Sequence, residues 1–77
     1  MSIYDDAVEV AKIYMGPAAQ RFMSRQVTVH LGVQEGKLEP KHMEELAALC
    51  YKGSKMFMPD DKARQFGEKI KLLGKFS

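Results

Sequence analysis

The sequence predicts an all-α fold, a compact bundle of four short helices at about residues 3–15, 17–31, 40–56 and 59–73. Two observations lead to this. Apolar residues recur at steps of three and four through most of the chain, and the prolines Pro17, Pro40 and Pro59 stand where each later helix would begin. The length of 77 residues fits one small domain spanning residues 1–77.

The first helix rests on Ile3, Ala7, Val10 and Tyr14, with Val8, Ala11 and Met15 in the adjacent row. Ser2 is its candidate N-cap, and Asp5 and Asp6 suit the positive end of the helix dipole. Gly16-Pro17 then forces a corner, because a residue before proline avoids the α region while proline fits the first position of a new helix. In the second helix Ala19, Phe22, Met23 and Gln26 share a side. Residues 26–33 also alternate like a strand, with β-branched Val27, Thr28 and Val29. No other segment offers that strand a partner, and an unpaired strand is unstable, so helix is expected to about residue 31, with Gly32 or Gly36 as its stop.

Residues 34–39 read as a polar connector. In the third helix Met43, Leu46, Ala47, Cys50, Ser54 and Phe57 mark one face, with Glu44, Glu45, Lys52 and Lys55 largely opposite, while Gly53 weakens the last turns. Met58-Pro59-Asp60-Asp61 is a break and a restart. The fourth helix then turns Ala63, Phe66, Ile70 and Leu73 inward, and Gly74 is its expected stop. Asp60–Arg64 and Arg64–Glu68 have ion-pair spacing along it. None of these helices is long enough to be stable alone, so packing of Tyr14, Phe22, Phe57 and Phe66 is expected to hold them together.

Composition narrows the function classes. Twelve basic and ten acidic residues give a net charge of +2, too small to require a nucleic-acid partner. No run reaches the roughly 18 apolar residues of a membrane-spanning helix, and Asp5, Asp6 and Glu9 do not fit a secretory signal. A single cysteine, Cys50, cannot form an internal disulfide, which fits a reducing cytoplasm.

The chain offers little for catalysis, and the expectation is that it is not an enzyme and uses no cofactor. His42 and Glu45 stand in reverse order to a helical carboxylate–histidine metal motif, and no paired Cys/His ligand spacing exists, so no metal site is expected. His42 and Cys50 lie about 12 Å apart along a helix axis by its rise per residue, too far for a nucleophile–base pair. Cys50 itself reads as a small buried hydrophobe. Gly32 to Lys37 looks superficially like a phosphate loop, but it is one residue short between its glycines and has Leu38 where a serine or threonine is needed.

Two surface features remain. Six methionines are many for this length, and methionine suits adaptable binding surfaces. Met56, Phe57 and Met58 cannot all point inward from one corner, so they form the candidate site for docking a partner protein or a second copy. The fourth helix carries Lys62, Arg64, Lys69, Lys71 and Lys75 against Glu68, a candidate anion-binding face for weak contact with nucleic acid or another anionic surface.

The segment Tyr14-Met15-Gly16-Pro17, followed by Ala19, Phe22, Met23 and Arg25, resembles a small helical domain of unknown function. That domain occurs near the C-termini of bacterial signalling proteins such as serine/threonine kinases, cyclases and proteins with phosphopeptide-recognition domains. Leu46 and Leu49 match its second apolar helix, and Asp60, Asp61, Arg64 and Phe66 match its acidic restart. The resemblance implies a non-catalytic helical accessory module. The expected function is therefore protein–protein interaction or regulation in bacterial signalling, in the cytoplasm, through a protein partner or self-association. Weak binding of nucleic acid or an anionic surface is the alternative, and no membrane is involved.

Overall fold

The computed structural model describes residues 2–75 and is all-α, with no strand among them. Helix α1 spans Ile3–Met15 and is closed at its start by a reciprocal cap. The Ser2 hydroxyl accepts from the Asp5 amide at 3.1 Å, and the Asp5 carboxylate accepts from the Ser2 amide at 3.4 Å. Its buried face is Tyr4, Ala7, Val8 and Ala11, so the side-chain stripe includes Tyr4 as well as the alanines. Gly16 ends α1 at φ 56° and ψ −128°, a conformation that a side chain would strain. A single 3₁₀ turn, Gly16–Ala18, leads straight into α2, Ala19–Arg25. The first two helices thus form one uninterrupted helical run with a sharp corner.

The chain from Gln26 to Leu31 continues α2 as a widened π turn, settling the strand–helix ambiguity in favour of helix. Val27 is buried whereas Val29 and His30 are exposed, a helical pattern. The β-branched residues crowd an α turn, and here the Thr28 hydroxyl donates to the Ser24 carbonyl at 2.7 Å, a back-bond that bends helices. Gly32, left-handed at φ 77°, closes the run, and the Val33 amide reaches back to the Val27 carbonyl at 3.0 Å.

The connector is more ordered than its polarity predicts. Leu38 is buried in the core, and Glu35, in a short 3₁₀ turn, accepts from the Ser24 hydroxyl at 2.5 Å. Pro40–His42 forms a 3₁₀ turn that opens α3, Met43–Ser54. Met43, Leu46, Ala47, Cys50 and Ser54 are buried as expected, but α3 stops two residues short of residue 56. The amides of Phe57 and Met58 both bond the Ser54 carbonyl, so the chain turns before the apolar stripe reaches Phe57. That ring consequently lies outside the core, against the expectation.

Helix α4, Asp60–Lys75, begins where the Pro59 carbonyl accepts from the Ala63 amide at 2.9 Å. Ala63, Phe66 and Ile70 are fully buried, and Leu73 packs against the core. Phe66 sits at the centre, its ring centroid 5.4 Å from Tyr14 and 5.9 Å from Phe22. Burying it stabilises the fold by roughly 1.5–3 kcal/mol.

Gly74 does not stop α4, which runs on to Lys75. It lets the helix end pass close to the start of α3: a Cβ there would lie 2.9 Å from Met43 Cβ and 3.0 Å from the Pro40 carbonyl oxygen. Gly74→Ala is therefore expected to destabilise by about 1–3 kcal/mol, although alanine favours a helix interior by up to about 1 kcal/mol. Gly36→Ala, with open space around the added carbon, should change stability by no more than about 0.5 kcal/mol. Urea titration of the two variants checks both.

Candidate docking surface

The turn after α3 places Met56 88% exposed and Phe57 57% exposed, with Met58 half-buried beside them. Phe57 makes an edge-on approach to Phe22, with centroids 5.9 Å apart. Met58 and Pro59 meet the end of α1, where Ile13 is 70% exposed. Together with Tyr14, Lys62, Gln65 and Lys69 these side chains line a groove of about 490 Å³ between α1 and α4. Exposed apolar side chains scattered singly are ordinary, whereas adjacent ones are candidates for an interaction surface.

The groove's charge is one-sided. Among the described residues its two charged side chains are Lys62 and Lys69, and no carboxylate lines it. The Lys69 ammonium stands 5.4 Å from the centroid of the Tyr14 ring, a cation–π contact that leaves its charge unneutralised. Neither lysine forms an ion pair among the described residues.

The five basic residues of α4 do not form one face. At about 100° per residue, Lys62 and Lys69 fall on one edge of the buried stripe, and Arg64, Lys71 and Lys75 fall on the opposite edge. Arg64 is paired with Asp60 at 2.9 Å, and with Lys71 it lines a different groove, shared with Glu44 and Glu68. A second surface cleft, of about 870 Å³, is lined by Arg21, Arg25, Ser24 and Glu35. Behind it the Tyr4 hydroxyl is buried with no hydrogen-bond partner among the described residues. Its burial, and then the Glu35 carboxylate, raise its pKa.

The residues weighed for catalysis are dispersed. His30 is exposed, and His42 Nδ1 accepts from the Glu39 amide at 3.0 Å, closing the turn before α3. Cys50 is fully buried, its thiol 4.0 Å from Met23 Sδ, and burial pushes its pKa up to about 12. No group of three or more His, Cys, Asp or Glu side chains among the described residues could hold a metal ion. No helix of the described residues is long and apolar enough to cross a membrane. Comparison with protein-family models, with curated proteins and with solved structures finds no match, and so no link to the signalling-associated helical family.

Ile13 is the surface residue that sequence reasoning missed. The signal was present: Ile13 belongs to neither apolar row of α1 and lies about half a turn away from the buried one. Lys62 and Lys69 belong to the five-residue cationic set that the sequence offers, and the structure places the two together on the rim of the α1–α4 groove.

The geometry yields two expectations. Cys50 in the native protein should resist an aromatic disulfide reagent at about pH 8 and react fully in denaturant, because the thiolate is the nucleophile; absorbance of the released thiolate reads both rates. The Tyr51 hydroxyl donates to Asp60, which also faces Arg64 and Lys55, and these contacts hold the Asp60 pKa below its usual range. The stabilisation is thus present above the ordinary aspartate pKa and lost as pH falls through the lowered one. Tyr51→Phe should move the Asp60 titration upward, as followed by side-chain carboxyl NMR shifts.

Proposed function

We propose that this protein is a non-catalytic docking module that binds an apolar helix face of a partner protein through Ile13 and the Met56–Pro59 turn. The observation that carries this reading is the exposure of Ile13 beside the α1–α4 groove and of Met56 and Phe57 in the turn that leads into it. A small domain gains nothing in folding from leaving Met56, Phe57 and Ile13 in water, whereas burying each against a partner contributes favourably. Grooves between helices accept the side-chain ridge of another helix. The unneutralised Lys62 and Lys69 on the rim favour a different protein over a second copy, since two-fold pairing of this face brings lysine rims together. The likeness of Tyr14 to Arg25 to a signalling-associated helical module supports a regulatory setting in the bacterial cytoplasm, and the lone reduced Cys50 agrees with that compartment.

The test compares wild type with a Met56→Ser/Phe57→Ser double variant. Met56 is almost wholly in solvent and Phe57 gives up only its edge contact with Phe22, so the variant should melt somewhat lower but still cooperatively. Wild type should retain a defined partner in stoichiometric amount from a cytoplasmic extract, identified by mass spectrometry, and the variant should lose it. Equal retention by both proteins, or a wild-type homodimer in sedimentation that the variant abolishes, would overturn the reading.

A further inference from the structure

We draw no further inference here: the strongest candidate, the surface cleft where Arg21, Ser24 and Arg25 of α2 face Glu35, carries nothing, because two exposed arginines beside a carboxylate do not show what covers it and the buried Tyr4 hydroxyl is not part of its lining.

Discussion

The fold turns on the burial of one ring. Phe66 lies at the centre of α4 with no solvent exposure, and it touches Tyr14 at the end of α1 and Phe22 in α2. Through these contacts three helices meet at one side chain, while Met43, Leu46 and Cys50 close the core from α3. Short helices of this kind do not hold themselves; nucleation is costly and an isolated segment of this length melts. The aromatic junction makes their formation cooperative. It also explains the tight approaches elsewhere, because α4 can reach Phe66's partners only if its other edge passes close to α3 at Gly67 and Gly74.

The same junction places the surface groove. Tyr14 is only half-buried, and its outer face carries the Lys69 ammonium. Phe22 is half-buried as well, and its edge carries Phe57. The core thus reaches the surface by two aromatic steps, one ending in a cation and one in an exposed ring. The candidate docking surface is an extension of the core, so its orientation is set by the residues that hold the fold. Substitutions at Met56 or Lys62 change what the surface offers without touching Phe66. A substitution at Tyr14 or Phe22 would change both at once, which is why neither serves to separate binding from folding.

Much of this was legible because it follows from local rules. The Ser2–Asp5 cap, the Gly16-Pro17 corner, the glycine stop at residue 32 and the inward rows Ala7–Ala11 and Ala63–Phe66–Ile70 depend on spacing and backbone preference. What escaped depends on contacts between distant segments. Leu38 lies in a polar stretch and is buried only because the connector folds against the core. Phe57 keeps helical spacing with Ser54 but leaves the core, since the turn at Lys55–Phe57 begins first. Gly74 carries the residue type of a helix stop and serves a close crossing instead. The candidate site divided along the same line. Met56 and Phe57 could be found from crowding at one corner, but the pairing of that corner with Ile13 and with two of the five basic residues required the tertiary arrangement.

Size explains why an apolar surface is left uncovered at this place. A chain this short buries a limited share of its surface, and its core is already filled by four helices around one aromatic centre. The turn between α3 and α4 must cross the open end of that arrangement, and its side chains have no further layer to enter. The turn itself is closed by backbone, through the bonds of Phe57 and Met58 to Ser54. Met56 is thus under no obligation from folding to be apolar, and the same holds for Ile13 on the outer face of α1, whereas Phe57 keeps an edge contact with Phe22 and Met58 is half-buried. The proposed docking function rests on that lack of obligation at Met56 and Ile13.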